Sequence, residues 1–464
     1  MEKFFKVKEH GSTVKIEFMA GLTTFMAMAY ILMVNANMFK DLGNVSYGAI
    51  YIATAISAVI GTVLIGLLAN LPLAQASGMG LNAYFVYTVC FGLGLSYANA
   101  LVLVLADGII FILLTVTGLR KKIFDAIPRS VRAAIPAGIG LFIAFIGLQN
   151  AGLIVPNGST CVSLASLNVY NGTATWSTIM PLLITIIGVL SIGIMAKRGV
   201  KGSVFWGILG SAILYYILGL LTVPGFRDTI QVTWNIFASF SAFGSEAFGK
   251  VFTEGFNFSA FIEANGMGGF IVVFITTALA FCMVDMFDTL GTLYGACARG
   301  NMLTKEGDVP NMDKAMLADA IATTCGAICG TSTVTTFVES SAGIAEGGRT
   351  GLASMVTALF FVIAMFFAPV AELIPTYATA AALIYVGILM MNCVREIEWT
   401  DPEIAVPAFM TVAMMPFTYN ISYGIALGLI SYIIVKLGLG KIKDIKPATW
   451  IIAILFALTF FLTH

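Results

Sequence analysis

Charge is what this sequence has least of. Asp, Glu, Lys and Arg make up only 10% of its 464 residues, against about a quarter in a water-soluble domain, and the shortfall excludes a soluble enzyme. The charge that remains cancels, 24 basic against 24 acidic residues, so the electrostatic footprint of a nucleic-acid binder is missing and no such partner is expected. His10 and His464 are the only histidines, and both fall outside the apolar body. That excludes histidine-based catalysis and most metal chemistry there; neither a metal nor a cofactor is expected. Six of the seven cysteines (Cys90, Cys282, Cys297, Cys325, Cys329 and Cys393) sit in apolar runs and only Cys161 in a polar loop, with no disulfide framework or zinc spacing. No G-x-x-x-x-G-K-[ST] phosphate loop occurs, so ATP does not drive the protein through a domain of its own. The start, MEKFFKVKEHGSTVK, is basic but is followed by no small-residue cleavage site, and no removable signal peptide is expected.

What fills the chain instead is apolar sequence, 59% of it, in runs near the length that crosses a bilayer. Spans are predicted at roughly 18–38, 48–69, 72–94, 97–118, 130–148, 178–196, 202–222, 269–297, 314–330, 332–352, 354–374, 378–395, 404–419 and 421–438, with a further apolar stretch at 448–464 that could cross or lie in the interface. The expectation is an all-α polytopic membrane protein of fourteen spans. Placing the N-terminus in the cytoplasm puts all of the 24 Lys and Arg residues except Lys40, Arg227 and Lys250 on the inner side, the bias expected of a correct span list. The two long loops, about 149–177 and 223–268, fall outside. A cell-membrane location with a cytoplasmic N-terminus follows.

The two halves resemble one another in order. GLTTFMAMAYILMVN (21–35) resembles FITTALAFCMVDMFD (274–288), and AISAVIG (55–61) resembles AIATTCG (320–326). LPLAQASGMG (71–80) is spaced like TFVESSAGIAEG (336–347), and the run from Pro181 to Gly219 parallels that from Pro407 to Lys436. Seven spans per half force the second copy upside down, and inverted repeats are the mark of an alternating-access transporter.

Two stretches fail as ordinary helices. LPLAQAS (71–77) and TSTVTTF (331–337) read as short extended pieces, each followed by a helix starting near Gly78 and near Glu339. Extended backbone at membrane depth needs protein partners or a wet cavity, and the symmetry predicts that the two strands, in spans 3 and 10, pair with each other. Two helix N-termini would then face one cavity.

Carboxylates at membrane depth are functional by default. The candidates are Asp107, Asp285, Asp288, Asp319, Glu339 and Glu346. Asp285 and Asp288 lie on one helical face, and Glu339 lies where the second extended piece ends. Its counterparts in the first half are Gln75, Ser77 and Asn82. Burial disfavours the charged form, so such a carboxyl can gain and lose a proton; it can also accept N–H donors from a heterocycle. Asp285 and Glu339 are the main expectation for ligand contact, with Asp288 either coupling a proton or supporting its helix. Asp107 and Asp319 are expected to bridge spans, and Glu346 to pair with Arg349 at i, i+3. A stacking ring could come from Tyr30, Phe85, Phe281 or Phe337. An intramembrane aspartyl hydrolase would need a second acid in a G-x-G-D segment on another span, and none follows, so no enzyme is expected.

The stretches at 21–35, QASGMGLNAYF at 75–85, DMFDTLGT at 285–292, LADAIATTCGAICGTSTVTTFVESSAGIAEGGRTGL at 317–352 and ATAAALIYVGILM at 378–390 together resemble the azaguanine-type branch of the nucleobase–cation symporter 2 family, the adenine/guanine/hypoxanthine permeases. The resemblance covers essentially the whole chain. It implies two inverted seven-span repeats divided into a core domain (18–118 and 269–374) and a gate domain (130–222 and 378–438), with 448–464 left over. It implies inward carriage of purine bases, hypoxanthine, guanine or adenine, with protons rather than sodium. The family's binding carboxylates map onto Asp285 and Glu339, a further acid onto Asp288 and the span-three amide onto Asn82. The uracil and xanthine branch commonly has Glu and His where this chain has Asp285 and Thr289, which argues against those substrates. The expected site is therefore Asp285, Glu339, Asn82, Gly78, Gly80 and Gln75 for the base, with Asp288 or Glu339 coupling the proton. A homodimer is left open. The competing expectation is an anion carrier or channel on the same scaffold, against which a fixed carboxylate at Glu339 counts.

Overall fold

Long apolar runs that begin just after a Ser, Thr, Asn or Asp fold here as capped helices. Thr13, Ser46, Ser96, Asp401 and Asn420 each accept a backbone N–H of the first turn that follows, satisfying a donor the helix cannot. The computed structural model describes residues 2–118, 127–170, 172–230, 235–305 and 308–462; Arg120, Lys121 and Lys122 of the basic inner set, and His464, lie outside them. In chain order the principal elements are α1 (Val14–Met28), α2 (Tyr30–Lys40), α3 (Tyr47–Leu68), β1 (Gln75–Ser77), α4 (Met79–Ala83), α5 (Tyr97–Val116), α6 (Arg129–Asn150), β2 (Ile154–Asn157), β3 (Cys161–Leu164), α7 (Trp176–Lys197) and α8 (Ser203–Thr222). They continue with α9 (Ser259–Arg299), α10 (Met312–Cys329), β4 (Val334–Thr336), α11 (Ser340–Ala345), α12 (Gly351–Met365), α13 (Thr376–Met390), α14 (Pro402–Phe417), α15 (Ile421–Gly438) and α16 (Pro447–Leu462).

Among the described residues nine helices are long and apolar enough to cross a membrane, counting α1 and α2 as one. Helix α5 packs on α10, α3 on α10 and α12, and α6 on α13 and α14. Small residues set these approaches. A Cβ on Gly351 would lie 2.0 Å from the Gly66 carbonyl oxygen, and one on Gly387 2.4 Å from that of Gly140, so backbones touch where any side chain would hold them apart.

Several boundaries differ from the sequence expectation. The run at 18–38 is interrupted at Ala29, which separates α1 from α2. Span 269–297 begins earlier, at Ser259, with a break at Gly266, whose φ of 72° suits a residue lacking Cβ. The long loop at 149–177 carries the antiparallel hairpin β2–β3, and that at 223–268 carries short helices that pack on α3 and α5. The stretch after 447 is a helix seated on α9 and α15, with Phe456 fully buried.

Candidate functional site

The two extended pieces meet. β1 and β4 pair antiparallel with Gln75 opposite Thr336, Ala76 opposite Thr335 and Ser77 opposite Val334. Gly78 N–H donating to the Thr333 carbonyl (2.9 Å) and Phe337 N–H donating to the Ala74 carbonyl (3.0 Å) extend the ladder at both ends. Every strand residue is buried, so these bonds supply the partners that water cannot. β1 leads into α4 with Gly78 as its cap, and β4 leads into α11 with Glu339 as its cap.

At this junction a recess of about 100 Å³ is lined by Tyr30, Gly78, Gly80, Asp288, Phe337 and Glu339, together with the apolar Ile139, Val386 and Met390. It adjoins an open cavity of about 1370 Å³, also reached by Asp288 and Glu339, whose outer lining carries Arg129, Arg132, Arg299 and Lys314. Both acids are half-buried. The Tyr30 hydroxyl donates to Glu339 Oε1 at 2.5 Å, and Thr335 Oγ1 donates to Asp288 Oδ2 at 3.3 Å.

Five expected residues thus converge on one space: Glu339, Asp288, Gly78, Gly80 and, from the aromatic candidates, Phe337; Tyr30 joins them through its hydroxyl. Asp285, Asn82 and Gln75 line neither cavity. Asp285 is fully buried behind the strands, accepting from Thr323 Oγ1 at 3.2 Å. The three-residue offset puts Asp288 nearly a full turn further toward the open cavity. Asn82 Oδ1 accepts from Ser77 (2.6 Å) and from Ser332, fastening the two crossing segments. Gln75 Nε2 donates to Asp319 Oδ1 at 2.8 Å and to Thr336 at 3.1 Å. Phe85 packs on Phe39 and Phe281 on Tyr84, as core rings.

Asp319 and Asp107 tie helices to the strands. Asp319 also accepts from Thr289 and Thr336, and Asp107 accepts from Thr333. The expected Glu346–Arg349 pair does not form: Glu346 pairs with Lys201 at 2.5 Å, and Arg349 turns to the carbonyls of Ile344 and Gly348. Sequence reasoning missed Glu17, a fully buried acid that caps α12 by accepting from the backbone N–H groups of Arg349 and Thr350. It also missed Ile139, Val386 and Met390, whose apolar character gives no signal. The hydroxyl-rich run TSTVTTF was the available signal for Thr335.

The family model described as "Permease family" matches residues 15–427. The chain is similar to the guanine/hypoxanthine permease PbuG of Bacillus subtilis, 39% identical over 468 residues covering 99% of both chains. It is 36% identical over 458 residues to the adenine permease AdeP of Escherichia coli, covering 99% of this chain and 95% of the other. Among solved structures it is similar to the transmembrane domain of the cyanobacterial bicarbonate transporter BicA, with a TM-score of 0.60 at 14% identity, covering 90% of this chain and 97% of that one. It is also similar to the inward-facing murine anion transporter Slc26a9, with a TM-score of 0.62 at 12% identity over 91% of this chain and 68% of that one. At such identity these two likenesses show the fold alone.

Proposed function

The chain belongs to the Permease family of transporters, and we propose that within it this protein imports purine nucleobases together with protons. The observation that carries this reading is the convergence of Asp288 and Glu339 on one recess beside the paired strands. Both are hydrogen-bond acceptors when ionised. Guanine, hypoxanthine and adenine each present N–H donors on the ring edge, and the two acids would take these while Phe337 and the backbone at Gly78 and Gly80 bound a flat ring. Asp285, Asn82 and Gln75 act in this reading from behind, holding strands and helices in place. The relatives named for adenine and for guanine/hypoxanthine transport support a purine base without choosing between them.

Alternating access would move the core segments (18–118 and 269–374) against the gate segments (130–222 and 378–438) of two inverted seven-span repeats, with the base between them. The open cavity carries Arg129, Arg132, Arg299 and Lys314, which the Lys and Arg bias assigns to the cytoplasm, so the conformation is inward-open. The opposite end is held shut: the Tyr87 hydroxyl donates to Asp41 at 2.7 Å, Asn150 donates to Tyr87 at 3.3 Å, and Thr88 donates to the Tyr419 carbonyl. Each proton carried inward with a neutral base adds about 2.3 kcal/mol per 100 mV of membrane potential.

Uptake of labelled hypoxanthine, guanine, adenine and uracil by cells expressing wild type or Glu339→Gln tests the reading. Saturable purine uptake that rises with external acidity and collapses in Glu339→Gln is expected. Purine uptake by Glu339→Gln at the wild-type rate with unchanged pH dependence overturns it. Bicarbonate or chloride transport without purine transport favours an anion carrier instead.

A further inference from the structure

We propose that Asp285 and Asp319, with Asp107 beside them, form an internal proton-binding site behind the strand pair, separate from the cavity-lining Asp288 and Glu339. The carboxyls come from three helices, α5, α9 and α10, and all three are fully buried. None takes part in an ion pair among the described residues. The titratable groups facing Asp285 and Asp319 are Asp107 from α5, Cys282 and Asp288 from α9, and nothing cationic. β1 offers Gln75, β4 offers Thr336 and the residue before β4 is Thr333, all neutral.

Asp319 is furnished to be an anion: Gln75 and Thr336 donate to Oδ1 at 2.8 and 3.2 Å, and Thr289 donates to Oδ2 at 2.8 Å. Asp285 is furnished to be an acid. Its Oδ1 is buried with no donor, and it lies beside Asp319: Asp285 meets Thr323 of α10, while Thr289, one turn along α9, donates to Asp319, one turn back along α10. Thr323 points the same way. Its single hydroxyl hydrogen can go to Asp285 (3.2 Å) or to the Val334 carbonyl (3.1 Å) but not to both, and given to Val334 it leaves Asp285 to donate. Asp107 Oδ1 is likewise buried without a donor. An unpaired ionised carboxylate in this setting costs several kcal/mol, whereas a proton on Asp285 removes that charge and lets the carboxyl donate. Loading takes one proton from the water of the open cavity and turns the Asp285 carboxylate into a carboxyl; unloading returns it. Asp288 sits one helical turn away, so loading also relieves repulsion on a cavity-lining acid.

The inference rests on the proton-coupled reading above, and its test does not use transport. Infrared difference spectra of the full-length protein in lipid, taken without substrate across acid-to-alkaline steps, read the carbonyl stretch of protonated carboxyl groups. The expected result is a band that exchanges slowly with deuterium near neutral pH, absent in Asp285→Asn, shifted in Asp319→Asn and retained in Glu339→Gln. Thr289→Val removes one donor from the Asp319 anion and nearly keeps its shape; it should raise the titration midpoint by about one pH unit, and it stands in if Asp285→Asn fails to fold. A band unchanged in Asp285→Asn and Asp319→Asn, or one removed by sodium at constant pH, overturns the inference. Binding of labelled guanine and adenine to the same samples separates the two readings. Base binding without the band sinks only the proton site, and the band without base binding sinks only the purine reading.

Discussion

Acids are held in two different ways in this molecule. Toward the basic end they are held by cations: Glu403 accepts from Lys436 and from Lys441 (2.5 Å), and Glu346 pairs with Lys201. At the strand crossing no ion pair among the described residues reaches them, and hydroxyls and amides take the place of cations, with Thr333, Thr335 and Thr336 each donating to a different aspartate. A carboxylate committed to a lysine has its charge neutralised and its acceptors used. One held by a threonine keeps both for a ligand or a proton. β4 and the threonine that precedes it therefore act as a rack of weak donors that positions acids without discharging them.

The largest break in this contrast should come from the acids that line the recess. Asp288→Asn and Glu339→Gln each remove a charged acceptor from the proposed base contacts, worth about 1.5–3 kcal/mol. Base affinity, measured by equilibrium binding of labelled purine to solubilised protein, should fall roughly 10- to 100-fold. Asn82→Ala, which lies off the recess, should lower thermal stability more than affinity, and a fall in affinity as large as that of Asp288→Asn would return Asn82 to the ligand.

Removing a donor from the rack should cost less. Tyr30→Phe and Thr335→Val each take one hydrogen bond from Glu339 or Asp288 and leave the acid in place. A loss of about 0.5–1.5 kcal/mol in base affinity is expected, together with a displaced pH optimum of uptake. Unchanged affinity and pH optimum in both variants would mean that the threonines and tyrosine only pack. Gln75→Leu removes the 2.8 Å donor from buried Asp319 and should cost about 1–3 kcal/mol of stability, read as a lower melting temperature in detergent, with base selectivity preserved.

How much of this was legible in the sequence depends on whether the signal was local. The paired strands were legible because β-branched residues beside Gly and Pro at membrane depth have few other solutions, and the resemblance between the two halves of the sequence named the partner. Glu339 at the strand–helix junction was legible for the same reason. That Asp288 rather than Asp285 reaches the cavity was not: helical periodicity puts both on one face but does not say which turn opens on water. Glu17 was missed because its partners, the backbone N–H groups of Arg349 and Thr350, lie on a segment far along the chain, and backbone donors leave no mark in sequence. Phe456 on α16 looked like surplus for a related reason, since burial against α9 and α15 is a property of the assembled bundle.

The smallest expected effect lies at the other pole of the comparison. The ammonium groups of Lys436 and Lys441 donate to Glu403 and hold its carboxyl below the ordinary range for glutamate. A carboxyl whose folded value is depressed stabilises the fold above its unfolded value, and that contribution is lost as pH falls through the folded one. Melting temperature in detergent should therefore decline on acidification below the usual glutamate range, and Lys441→Ala should flatten that decline slightly, since Lys436 still donates. Because one of the two cations on Glu403 at the start of α14, Lys441, is half-exposed, screening keeps the effect small, and added salt should reduce it further. The pH dependence that Glu339 gives wild-type uptake should survive the same salt, since Glu339 is half-buried and pairs with no cation among the described residues. Equal salt sensitivity at the two places would dissolve the distinction between acids that are neutralised and acids that are kept free.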